Sequence, residues 1–331
     1  MESACATREP ISTFLESSFR EDVCLRLLAE SQNSDGGWSS YPGSRSATEP
    51  TCLAFLALSA VPDEAVAKSI RRGMEWLRRT QLADGGWPAV AEQEKSCWVT
   101  ALACMALHSQ RDESGAVDAG LEWLCANWPA EGNLWWRIRA KLHRKTTTVQ
   151  QDSMLRGWSW TPGTASWVEP TTHALLALRA IPARLHPKSA AERIDLGERM
   201  LYNRMCPGGG WNAGNPLVYG VGGMPRIGAT AWALLALSEY RERAENQQSL
   251  EWLRRQYDSI RGPVSLALAQ ICLSVYDCAP PRFERGLQQL YSANQFLHSI
   301  HAAAWSAMAL SAPNEWLWGP RRKGGAHGAD H

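Results

Sequence analysis

The sequence predicts an all-α protein, an α/α toroid (α6/α6 barrel) of six helix-hairpin repeats. Three observations carry that expectation. A Gly-Gly-Trp motif recurs along the chain, an apolar run follows each copy, and an Arg- and Glu-rich amphipathic segment precedes most of those runs. A helix that is greasy all round must be buried all round, whereas one with a single apolar stripe faces water on its other side. Hairpins of the two kinds stack into a double layer. An open solenoid would leave the inner helices wet, so the ring is expected to close.

The elements follow in order. Asp35-Gly36-Gly37-Trp38 and Asp84-Gly85-Gly86-Trp87 are full copies, and Gly157-Trp158-Ser159-Trp160 and Gly208-Gly209-Gly210-Trp211 are looser ones, spaced by about fifty residues with one longer gap. The apolar runs at 52–58, 101–107, 174–180 and 231–237 read as inner helices. The segments at 73–79, 120–126 and 249–255 read as outer helices. Two degenerate units complete the series, 250–257 with 264–275 and 283–293 with 301–310. Gly-Gly permits the reversal between layers, and Pro50 and Pro170 fall where a first helical turn tolerates proline. The barrel is expected to occupy residues 20–312 as one domain, with an N-terminal extension over 1–19 and a disordered Gly- and His-rich tail over 313–331.

Composition narrows the classes. Apolar residues make up 45% of the 331, enough for a large core, and a net charge of +1 supplies no bulk field for nucleic acid. Tryptophan is over-used, 17 against 5 Phe and 7 Tyr, and each indole brings a rigid apolar face and one N–H seeking a partner. The nine cysteines form no CxxC pair and several lie inside apolar runs, which reads as a reducing, cytoplasmic setting without disulfides. The N-terminus lacks the pattern of a signal peptide. The longest apolar runs are about half the ~20 residues of a membrane span, leaving peripheral membrane contact as the closest association expected.

The segment Arg72-Gly73-Met74-Glu75-Trp76-Leu77-Arg78-Arg79-Thr80-Gln81-Leu82-Ala83-Asp84-Gly85-Gly86-Trp87 resembles the QW repeat of squalene–hopene cyclases nearly residue for residue. Residues 32–38 make a second copy, and residues 229–237 resemble the inner helix after a late repeat. The resemblance runs from about residue 20 to 312 and is to the terpenoid cyclase and protein prenyltransferase superfamily, with a squalene–hopene cyclase-like barrel. It implies that each Gln amide bridges backbone groups while an indole stacks over it, a structural role.

In class II cyclases an aspartic acid of a DxDD motif, at the start of an inner helix, protonates a polyene in a dry pocket. This chain has no DxDD. Registering on the leucine that closes each inner run puts Glu49 and Glu169 in the donor's place, with Pro50 and Pro170 replacing the next aspartate. The same register holds Trp98, Gly228 and His301 in other units. A closed ring brings Glu49, Glu169 and His301 to one mouth, with His173 one turn deeper than Glu169 on the same helix face. The resemblance then implies a terpene cyclase-like isomerase or lyase acting on a linear isoprenoid in an aromatic-lined central cavity. Glu49 or Glu169 serves as general acid, and His173 and His301 direct proton traffic. Trp98, Trp167, Trp232, Trp305 and Arg226 are expected to bind substrate, the indole faces stabilising cationic intermediates.

Plainer readings stand beside these. An acid at a helix N-terminus gains about 0.3–1 kcal/mol from the macrodipole alone, and a histidine in an apolar helix is commonly a core residue. Two functional alternatives remain open. One is a non-catalytic isoprenoid- or lipid-binding barrel. The other is a metal-dependent enzyme using Glu49, Glu169, His173 and His301 at the mouth, although the Asp-x-Cys pair of prenyltransferase β-subunits is absent, and no metal or other cofactor is the primary expectation. The basic run at 137–145, beside Trp128, Trp135 and Trp136, reads as a solvated helix face or as a contact for diphosphate or anionic lipid. Arg45, Arg156 and Arg226 precede inner helices at the expected mouth.

Overall fold

A computed structural model describes residues 18–59, 61, 63–132, 138, 152 and 154–311. The expected tail over 313–331, Trp135, Trp136 and most of the basic run lie outside the described residues, as does the expected extension apart from residues 18 and 19.

A π-turn at Arg20–Leu25 leads into α1 (Arg26–Glu30). There follow α2 (Thr48–Leu58), α3 (Glu64–Thr80), α4 (Thr100–Ser109), α5 (Ala116–Ala126), α6 (Val168–Ala180) and α7 (Ala190–Asn203). The remainder are α8 (Ile227–Ala236), α9 (Ala244–Gln256), α10 (Pro263–Val275), α11 (Phe283–Asn294) and α12 (Ile300–Leu310). The even-numbered helices pack side by side in the order α2, α4, α6, α8, α10, α12, and α12 packs back on α2, so the ring closes. Each of α2 to α10 is covered by the outer helix that follows it, while α12 is covered by the π-turn and α1.

Burial separates the layers as composition demands. Every α2 residue except Glu49 is buried, whereas α3 buries only Ile70, Gly73, Trp76 and Leu77. Asp63 caps α3, its carboxylate accepting from the Ala65 and Val66 N–H groups.

The recurring tryptophans hold the layers together. The indole N–H groups of Trp38, Trp87, Trp158 and Trp211 donate to the carbonyls of Leu28, Leu77, Leu124 and Leu201 at 2.7, 2.7, 2.8 and 2.6 Å. Their backbone N–H groups donate to the hydroxyls of Thr51, Thr100, Thr171 and Thr230 at the start of the inner helices. One residue therefore ties the end of an outer helix to the start of an inner one. Gln32 bridges the carbonyls of Gly36 and Ser69, and Gln81 those of Gly85 and Ala116. In the third unit Arg193 of α7 does this work instead. Its guanidinium lies 4.1 Å from the Trp128 ring centre and 4.0 Å from that of Trp158, and it donates to the carbonyls of Asn127 and Gly157.

Among the described residues no helix is long and apolar enough to cross a membrane. The described cysteines are free thiols, all buried but Cys278.

Candidate active site at the barrel rim

Glu49 stands in the first turn of α2, Glu169 in that of α6 and His301 in that of α12. Ring closure sets α12 beside α2, and His301 Nε2 lies 3.3 Å from Glu49 Oε2. Glu169 is near enough to Glu49 to feel its charge. Burial first, and the Glu49 carboxylate second, push the Glu169 carboxyl up from 4.5 to about 7, so near neutral pH it is substantially protonated.

His173 lies one turn further into α6 and is 2% exposed. Its ring centre is 4.3 Å from that of Trp232 and 5.1 Å from that of Trp98. Burial pulls its pKa down to about 4 against the opposing pull of Glu49 and the Glu169 carbonyl, so the imidazole is neutral. Its Nδ1 has no hydrogen-bond partner among the described residues. Held between two indoles, His173 is shielded from solvent.

The rings continue in both directions. Trp160 meets Trp98 edge-on at 5.0 Å, and Trp232 meets Trp305 edge-on at 5.1 Å. Helices α8 and α12 are separated in the ring by α10, so the Trp232–Trp305 contact crosses the interior. Trp232 and Trp305 are 3% and 4% exposed. Among the described residues, these two indoles thus meet across the interior at this level.

A cavity of about 540 Å³ opens off the axis between α6, α8 and α10. Glu169, Trp167, Arg226 and Trp232 line it, together with Trp160 and Trp252. Of the expected substrate contacts, Trp167, Trp232 and Arg226 thus reach this cavity, while Trp98 and Trp305 belong to the ring array beside it. The β-ribbon of β1 (Trp158–Ser159) and β2 (Ser166–Trp167) presents Trp160 and Trp167 at the rim. Buried Glu131 anchors that ribbon, its Oε1 accepting the Ser166 N–H at 2.8 Å with Arg204 Nη2 3.8 Å from the same oxygen. Arg45 is exposed and pairs with Glu92 at 3.8 Å. Arg156 is not among the residues lining this cavity; its guanidinium stacks over Trp128 at 4.1 Å.

Trp252 escaped the sequence reading although a signal was present. Trp76 and Trp123, at the same place in their units, donate their indole N–H groups to Asp35 and Asp84 at 2.9 Å. The matching position before Trp211 is Gly208, so Trp252 has no such carboxylate and lies on the cavity wall. Among the described residues no three His, Cys, Asp or Glu side chains form a group able to hold a metal ion.

Fold and site together define an α/α toroid with an acid–imidazole cluster on its rim beside an indole-walled cavity. Residues 14–143, less than half of the chain, match the family model of the squalene–hopene cyclase C-terminal domain, which supports the repeats' likeness to the terpenoid cyclase superfamily. No curated protein matches by sequence. Among solved structures, a protein from Actinoplanes is similar with a TM-score of 0.54 and 15% identity, over 86% of this chain and 96% of that one. The cellobiose 2-epimerase of Spirochaeta thermophila is similar with a TM-score of 0.56 and 10% identity, over 87% and 92%. At such identities these two show the fold alone. The type II terpene cyclase MstE from Scytonema, in complex with its product merosterolic acid A, matches at a TM-score of only 0.37 with 15% identity, over 87% and 96%, and carries no weight at that score.

Proposed function

We propose that the rim cavity is the active site of a terpene cyclase-like enzyme, an isomerase or lyase that uses general-acid chemistry on a linear isoprenoid. The observation that carries this reading is Glu169, a carboxyl held at about 7 on the wall of an indole-lined cavity. A general acid works best with a pKa near the operating pH. A volume of about 540 Å³ suits a small-molecule site, which typically spans about 300–1,000 Å³.

Glu169 delivers its proton to the substrate. The Glu49–His301 pair restores that proton, since Glu49 couples electrostatically to Glu169 and touches His301 at 3.3 Å. Positive charge left on the substrate faces the rings of Trp160, Trp167 and Trp232. Arg226, exposed at the edge of the cavity, meets an anionic end of the substrate. A carboxyl with a pKa near 7 is a weak acid, so the reading favours an isoprenoid whose reactive end bears an epoxide or allylic oxygen over one offering a bare alkene.

Incubation with farnesyl and geranylgeranyl diphosphates, squalene and its epoxide, followed by product analysis, tests the proposal. Turnover is expected to fall as pH rises through about 7, and Glu169→Gln to lose roughly 10²–10⁴ in rate. Full turnover in both Glu169→Gln and Glu49→Gln would overturn the acid roles. Tight binding of ligands that are returned unchanged would instead identify a carrier.

A further inference from the structure

In the first three units the loop tryptophan slides beneath a glycine of the next outer helix. A Cβ built on Gly73, Gly120 or Gly197 would lie 3.0, 2.9 or 2.8 Å from Cζ3 of Trp38, Trp87 or Trp158. The glycine is small because the indole is there. The same register continues into α11, where Gly286-Leu287-Gln288-Gln289-Leu290 stands where Gly73-Met74-Glu75-Trp76-Leu77 stood in α3.

The fifth unit keeps that glycine and lacks the indole. Between α9 and α10 there is only a short 3₁₀ turn, Tyr257–Ser259, then Ile260, Arg261 and Gly262. The nearest atom to a Cβ on Gly286 is Leu266 Cδ2 at 3.4 Å, an ordinary contact. A cavity of about 430 Å³ opens there. Buried Tyr257, Ile260, Leu266 and Phe283 form its apolar lining.

Its charged lining is one-sided. Arg261, Arg282 and Arg285 border the cavity against one acid, Asp258. Arg282 is paired with Asp258. Arg261 donates only to the carbonyls of Asp258 and Ile260, and Arg285 has no ion pair among the described residues. Two guanidinium charges are thus left uncompensated around an apolar hollow. Helix α10 divides this hollow from the rim cavity, with Val264, Ser265 and Leu268 lining the rim cavity and Leu266 lining this one.

We propose that this vacated indole position is a second ligand site, which binds a small flat apolar molecule carrying one anionic group. The apolar body takes the space that an indole fills in the earlier units, and the anion meets Arg261 and Arg285. Charge complementarity selects this occupant over a neutral one. The site is independent of the chemistry proposed for Glu169.

The test uses anilinonaphthalene sulfonate as the probe and its uncharged parent, phenylnaphthylamine, as the comparator, each titrated by calorimetry into the full chain. The sulfonate is expected to bind at one site, and the Arg261→Ala, Arg285→Ala double variant to weaken it roughly tenfold or more. Gly286→Leu, which fills the hollow from an ordinary helical position, is expected to abolish binding at this site without lowering the melting temperature. Arg226→Ala, which alters the rim cavity instead, is expected to leave the affinity unchanged. Wild-type affinity in both the double variant and a folded Gly286→Leu protein would overturn the proposal, as would equal binding of the uncharged comparator. Loss of binding in Arg226→Ala alone would place the probe in the rim cavity and overturn it equally.

Discussion

Glu169 and His173 sit one turn apart with pKa values displaced in opposite directions, and their effects on stability should nearly cancel in the native protein. Glu169 titrates near 7 when folded against 4.5 when unfolded. Between those values the folded state holds a proton that the unfolded state has released, so stability falls as pH rises, by about 1.4 kcal/mol per unit. His173 titrates near 4 when folded against 6.5 when unfolded. Between those values the unfolded state holds the extra proton, so stability rises with pH at the same rate. The windows overlap from 4.5 to 6.5. Removing one partner unmasks the other. Relative to wild type, Glu169→Gln should gain about 3 kcal/mol between pH 4.5 and 7, and His173→Phe should lose about 3 kcal/mol of relative stability between pH 4 and 6.5. Urea unfolding of the three proteins across this range, compared as differences from wild type, isolates the two groups from all others. Differences that stay flat with pH would show that neither group is desolvated as the geometry requires.

Three further outcomes follow from the loop and inner-helix packing. Trp87→Ala should cost about 3–5 kcal/mol in urea unfolding, because a fully buried indole is lost and the Leu77 carbonyl loses its donor. Gly120→Ala should destabilise by about 1–3 kcal/mol, since its Cβ would overlap Cys104 Sγ as well as press on Trp87, and Cys104→Ala in the same chain should restore much of that loss. Thr100→Val should cost about 1–3 kcal/mol, because the hydroxyl that accepts from the Trp87 N–H and donates to the Cys97 carbonyl disappears from a buried site. Thermal melting ranks the last two against wild type.

The inner and outer helices were legible because burial on all sides and burial on one stripe are local properties of composition. The Gln bridges were expected from the family resemblance, and Gln32 and Gln81 make them between backbone carbonyls of one repeat and its neighbour. Juxtaposition of Glu49 with His301 followed from counting back from the closing leucines, since equal register in a closed ring means equal depth. Arg193 was not legible. A buried guanidinium is tolerable there because Trp128 and Trp158, thirty positions apart in the chain, both stack against it. The missing fifth indole was visible as an absent Gly-Gly-Trp, but the hollow beneath Gly286 needed coordinates.

What the sequence by itself determined is the ring and the depth of its acids and imidazoles, because periodic burial leaves greasy helices no other arrangement. Only the tertiary structure decided which space remains open. Trp232 and Trp305 reach each other across helices that are not neighbours, and Glu169 faces a cavity at one side. Packing of side chains from non-adjacent repeats depends on rotamers and small helix displacements, and no pattern along one chain encodes these directly.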